Sequence, residues 1–128
     1  MKKAGWILTG LLLLFLLPAS VAPKLMGAQA AVDSLTAIGW PTTYLFALGI
    51  LELALLLLFA WPRTAVLGAV LFTALLGGTV ASHLRAGSPL ASHTLFGIYL
   101  GVFLWTSLFL RDAAFRSYVV NHMLGRSP

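Results

Sequence analysis

The chain has 128 residues, of which 60% are hydrophobic and 9% charged, with a formal net charge of +5. Soluble domains carry about a quarter charged residues, and a water-soluble domain of this length cannot hide so much apolar surface, so the composition predicts one all-α integral membrane domain over residues 1–128. The absence of cysteine excludes disulfides, thiolate nucleophiles and Cys-ligated iron–sulfur clusters, while Lys and Arg scattered at the ends of apolar runs argue against nucleic acid as a partner.

Crossing a bilayer takes roughly 17–25 apolar residues, and four runs qualify as transmembrane helices, at about residues 6–22, 41–61, 65–83 and 93–110. The first follows Lys2-Lys3 and ends in "SVA", which resembles a signal-peptide cleavage point. Pro23 directly after it speaks against processing, so a retained helix kinked at Pro18 is expected. Next, "GAQAAVDSLTAIGW" sets Ala28, Ala31/Val32, Leu35 and Ile38 near helical spacing, with Gly39 and Pro41 as a stop. It reads as a short helix on the outer surface. The second run holds Glu52 in "LGILELALLLLFA", otherwise wholly apolar. After the short break "PRT" comes a third run rich in small residues. Ala74, Gly78 and Ser82 repeat every four positions there, as do Thr73, Gly77 and Ala81. Such stripes let backbones approach in lipid, so this span is expected to sit centrally, with Gly77 and Gly78 as packing positions; the sharper alternative is that these glycines leave room for a flat ligand and shape a site. Beyond "LRAGSPLAS" the fourth run carries Gly97 and Gly101, a GxxxG packing pair. A tail with Phe115, Tyr118/Val119 and His122 or Met123 on one side reads as surface-lying or frayed.

Charge orients the bundle. With the N-terminus inside, Lys2, Lys3, Arg63, Arg111, Arg116 and Arg126 fall on the inner face, and Lys24 and Arg85 on the outer one. The positive-inside bias then favours N-in, C-in. Trp6, Trp61 and Tyr118 mark the inner boundary, and Trp40 and Tyr44 the outer one.

In order along the chain, "PASVAPKLMG", "AIGWP", "LGILELALLLL", "LLGGTVASHLRAG" and "FLRDAAFR" resemble the DoxX-like family of small four-helix membrane proteins, over nearly the whole length. The small residue that commonly precedes the Lys-Leu pair is replaced here by Ala22-Pro23. The resemblance implies four transmembrane helices in a cell inner (plasma) membrane. The family name derives from a subunit of a thiosulfate:quinone oxidoreductase, so the resemblance also implies membrane redox complexes, with quinone as candidate cofactor. Fold and family do not fix chemistry by themselves.

A carboxylate within a bilayer is a functional candidate by default. At 1.5 Å per residue, Glu52 lies about 17 Å along its helix from Pro41, somewhat past the midplane. Depth matching offers it neutral neighbours, namely Thr73, Trp105, Thr106, Thr9 and Gly10, which favours a protonated Glu52 that donates to a hydroxyl or carbonyl. A first helix bent at Pro18 would instead let Lys24 dip in and form an ion pair, and the sequence leaves both open. Glu52, Lys24, His83, Arg85 and His93 are the candidates for ligand binding or proton handling. Antiparallel third and fourth spans would bring His83 and His93 together. Two imidazoles with Asp33 are thinkable ligands for zinc or haem, but no metal-ligand spacing supports them and no metal is expected. No residue is assigned as catalytic: the serines lack a His–acid constellation, and no phosphate loop or dinucleotide fingerprint appears.

The leading expectation is an accessory or anchor subunit of a quinone-linked membrane redox system, its partners the bilayer, oxidoreductase subunits and a further copy of the chain. The alternative is a noncatalytic protein that binds a small lipophile or assists another membrane protein. A proton-coupled transporter subunit is a weaker third reading.

Overall fold

The computed structural model describes residues 1–125. Arg126, counted above among the inner-face charges, lies outside them. Six helices follow one another: α1 (Lys2–Met26), α2 (Gln29–Ala37), α3 (Thr42–Ala60), α4 (Ala65–Ala86), α5 (Leu90–Arg111) and α6 (Ala113–Tyr118). A wide turn over Val119–Met123 continues α6. There is no strand among the described residues.

Helices α1, α3, α4 and α5 are long and apolar enough to cross a membrane, and no more than 33% of any of their most apolar windows is buried. The rest is an apolar exterior, with Leu14 71%, Leu57 62% and Val102 63% exposed. That surface suits acyl chains, and helices satisfy their own backbone groups in lipid. Each span except the second runs further than its apolar run predicts. Long basic side chains such as Lys2 and Lys3 keep their heads in water while their stems stay with the helix. Glycines then set the ends. Gly27, at φ 65°, closes α1 and turns the chain into α2; this left-handed conformation costs glycine little. Gly39, at φ 80°, makes the next turn before Pro41.

At the position of the expected kink α1 carries a π turn over Leu17–Val21, where the Ala22 N–H donates to the Leu17 carbonyl. Pro18 has no N–H to give the carbonyl four residues back, and a widened turn absorbs the mismatch.

The spans form a ring, and the third of them, α4, is not central as the small-residue stripes predicted. Residues Lys2–Leu16 of α1 lie along α5, α5 packs on α4, α4 on α3, and the end of α1 crosses α3. Close backbone approach occurs elsewhere than predicted. A Cβ on Gly5 would collide with the Arg111 backbone, and one on Gly68 with the backbone of Phe59. On Gly49 it would come within 2.9 Å of Lys24 Cβ. A Cβ on Gly97 would come within 3.0 Å of Val80 Cγ2 and 3.2 Å of the Leu76 carbonyl. Gly101 makes an ordinary contact with Leu76, and a Cβ on Gly77 or Gly78 would meet nothing within 4 Å. The core between the helices is built from Leu12, Leu16, Leu56, Phe59, Phe72, Leu104 and Leu108.

Candidate functional site: a Lys24–Ser20–Glu52 cluster on an apolar cavity

Glu52 is buried at 6% exposure on the face of α3 that the end of α1 crosses. Contact between Gly49 and Lys24 sets the level of that crossing, one helical turn from Glu52. Lys24 is therefore deeper than a count from the outer boundary placed it, and it reaches the acid. Its Nζ donates to Glu52 Oε2 at 2.8 Å. It also donates to Ser20 Oγ at 2.6 Å and to the Ser20 carbonyl at 3.3 Å. The Ser20 hydroxyl donates to the same Oε2 at 3.0 Å.

This ion pair replaces the neutral partners that depth matching favoured. Thr9 donates to the Gly5 carbonyl instead. Thr73 donates to Ala69 and accepts from Trp105 Nε1 at 2.8 Å. A full charge in an apolar interior persists when paired and hydrogen-bonded, and here both conditions hold. The three donors of the ammonium are all engaged. The carboxylate differs: its bonds converge on Oε2, and Oε1 accepts none among the described residues.

The cluster opens on a cavity of about 600 Å³. It exists because α1 and α4 stand on opposite sides of the ring without packing on each other. Phe15, Leu16 and Ala19 line it from α1, and Ala74, Leu75 and Gly78 from α4. The small residues thus open space instead of closing a helix contact. A volume of this size lies in the ordinary range for small-molecule sites. Trp40, Ser82 and His83 also line the cavity, with Trp40 Nε1 donating to Ser82 Oγ at 3.0 Å.

Among the candidates, Lys24, Glu52 and His83 share this cavity, whereas Arg85 and His93 do not line it. Arg85 rests its guanidinium by Gly39. The rings of His83 and His93 meet edge-on with centroids 6.0 Å apart, and serines 88 and 92 take their Nδ1 atoms. Asp33 is held by Gln29 at 2.8 Å. No group of three His, Asp or Glu side chains able to hold a metal ion occurs among the described residues.

Sequence reasoning missed Ser20, one of the serines without a His–acid constellation. Its spacing of four from Lys24 was the available signal, since such residues share a helix face. It also missed Arg111, assigned to topology alone and found 6% exposed.

No curated protein and no solved structure matches the chain. The model of the DoxX-like family matches residues 7–107, from inside α1 to near the end of α5 and across both halves of the Lys24–Glu52 pair. A match over so much of its length places this four-span chain in the DoxX-like family.

Proposed function

We propose that the protein is a small subunit of a membrane redox system that holds a lipophile in the α1–α4 cavity, its head group against Glu52. The observation that carries this is the one-sided cluster: a buried ion pair whose lysine has no donor left and whose carboxylate has one oxygen free of partners among the described residues, in the wall of an apolar chamber. Such a site accepts a hydrogen bond more readily than it gives one. It therefore suits a head group bearing a hydroxyl, which in the quinone-linked reading is the reduced quinol rather than the carbonyl form. The redox and quinone parts of the reading rest on the family, and the lipophile part on the cavity.

The N-in, C-in orientation belongs to this proposal. With Lys24 paired to Glu52 and Arg111 buried, the remaining cations of the described residues still divide unevenly, with Lys2, Lys3, Arg63 and the half-buried Arg116 at the end that holds the N-terminus and Arg85 at the other. The short helix α2 would then lie on the outer side, where it forms one wall of the cavity through Ala30, Ala31 and Ser34.

The test is mass spectrometry of small molecules released from gently purified wild-type and Glu52→Gln protein. A redox-active hydroxylated lipophile, enriched in the wild type and lost from the variant, is the expected result. An identical set of molecules from both removes Glu52 from the site. A specific lipophile without redox chemistry supports the noncatalytic binding reading, which the apolar lining favours independently.

A further inference from the structure

A second cluster lies at the other end of the bundle and takes no part in the site above. Arg111 ends α5 and turns inward beneath the end of α3. Its Nη2 donates to the Phe59 carbonyl and its Nη1 to the Ala60 carbonyl at 3.4 Å, two of the carbonyls a helix C-terminus leaves unpaired. Its guanidinium lies between two aromatic rings, 4.4 Å from the Trp6 centroid and 4.6 Å from that of Phe59. With Arg111 only 6% exposed, its Nε is buried without a hydrogen-bond partner among the described residues. A buried unpaired donor on a permanent cation calls for an acceptor.

Beside it is a cavity of about 270 Å³, lined by Arg111, Lys2, Trp6, Pro62 and Asp112 among others. Asp112 brings the one opposing charge, and its Oδ1 is engaged by the Phe115 N–H at 3.0 Å as the cap of α6. The cavity sits where α1 begins, α3 ends, α4 begins and α5 ends, so a bilayer crossed by these helices has its boundary there. Trp6 and the 64%-exposed Trp61 suit that boundary. Basic pockets between spans at this depth are where anionic lipid headgroups bind.

We propose that this cavity binds the phosphate of an anionic phospholipid headgroup, with Lys2 and the Arg111 guanidinium as its cationic partners and Trp6 packed on the lipid side. The volume fits a headgroup, being smaller than that of a cavity for a whole drug-sized ligand. Arg supplies a planar fork for phosphate, and a lysine beside it adds a point charge. The proposal stands apart from the Glu52 cavity and does not depend on it.

The experiment is native mass spectrometry of the full chain released from micelles doped with equal amounts of phosphatidylglycerol and phosphatidylcholine. One retained phosphatidylglycerol is expected, favoured several-fold over phosphatidylcholine. Lys2→Gln should weaken that preference. Lys3→Gln makes the same charge change at a residue outside the cavity lining and should leave it intact. Arg111→Lys keeps the charge and loses Nε, and should abolish the preference; its unfolding midpoint is read alongside, so that a failure to fold is recognised and the lysine pair decides the outcome. Equal effects of Lys2→Gln and Lys3→Gln would reduce the site to diffuse attraction and overturn the proposal. So would the absence of any lipid preference. A midpoint raised by millimolar inorganic phosphate with no lipid retained would assign the cavity to a free anion and overturn the lipid reading.

Discussion

Lys24 and Glu52 stand 28 positions apart in the chain and 2.8 Å apart in space, with the Ser20 hydroxyl bonded to both. The pair ties the end of α1 to the face of α3 and exposes one edge of the carboxylate to the cavity.

Removing one partner is expected to cost more than removing both. Lys24→Met leaves a buried acid with only Ser20 against it. Loss of one member of a fully buried pair costs about 3–5 kcal/mol. With a quarter of the Lys24 side chain exposed, the lower end of that range is expected. The double variant Lys24→Met/Glu52→Leu should recover much of the loss, because well-packed apolar replacements of a buried pair are often neutral. Reversible unfolding in mixed micelles measures both. Equal destabilisation by the single and the double change would show that the pair contributes no specific attraction.

Glycines that look alike in the sequence should behave differently. Gly49→Ala pushes a methyl against Lys24 Cβ and Leu25 Cδ2, each 2.9 Å from it. It is expected to destabilise by about 1–3 kcal/mol, the usual range for overpacking. Gly77→Ala enters open space and should stay within about 0.5 kcal/mol of wild type. The same unfolding assay ranks the two, and the reverse order would contradict the ring packing.

Filling the cavity should separate ligand binding from folding. Gly78 lines it, and a Cβ there meets nothing within 4 Å. Gly78→Leu is expected to reduce the recovered lipophile several-fold while the unfolding midpoint barely moves. Undiminished recovery would place the ligand elsewhere.

The spans were legible because their signal is compositional. A run of apolar residues between Lys3 and Lys24, or between Arg85 and Arg111, announces a helix in lipid whatever it packs against. The packing was not legible, for the opposite reason. In lipid an apolar face meets a tail or a helix equally well, so periodicity does not tell the buried side from the bare one. The stripes on α4 therefore suit helix contacts and ligand space equally, and Gly77 and Gly78 make no close helix contact, while Gly5 and Gly68 carry contacts that no stripe announces. The site was half legible. Glu52 stands out by its cost, but its partner is hidden, because counting depth from the span ends assumes regular helices of equal height, whereas α1 carries a π turn and meets α3 with Lys24 against Gly49. Arg111 looked like a boundary charge because the sequence does not show which cations turn inward.

A bond between side chains in different helices should also be measurable. Trp105 Nε1 donates to Thr73 Oγ1 at 2.8 Å between α5 and α4. A double-mutant cycle with Trp105→Phe and Thr73→Val is expected to return a coupling of about 0.6 kcal/mol, the average for such bonds in membrane proteins, and no more than about 1.7 kcal/mol. A coupling indistinguishable from zero would mean that the contact does not persist in the bilayer.

The widened turn at Leu17–Val21 makes the polar cluster a matter of counting as well as chemistry. One surplus residue in a helix rotates everything after it by about 100°, so the turn works as a phase shifter that aims Lys24 at Glu52. Deleting Ala19 alone would remove no charge and no hydroxyl, yet would swing the ammonium away from its acid. Single-residue deletions in this stretch should therefore disable the protein more thoroughly than many substitutions, whereas the wide turn over Val119–Met123 carries no side chain of the cluster and sets no such phase.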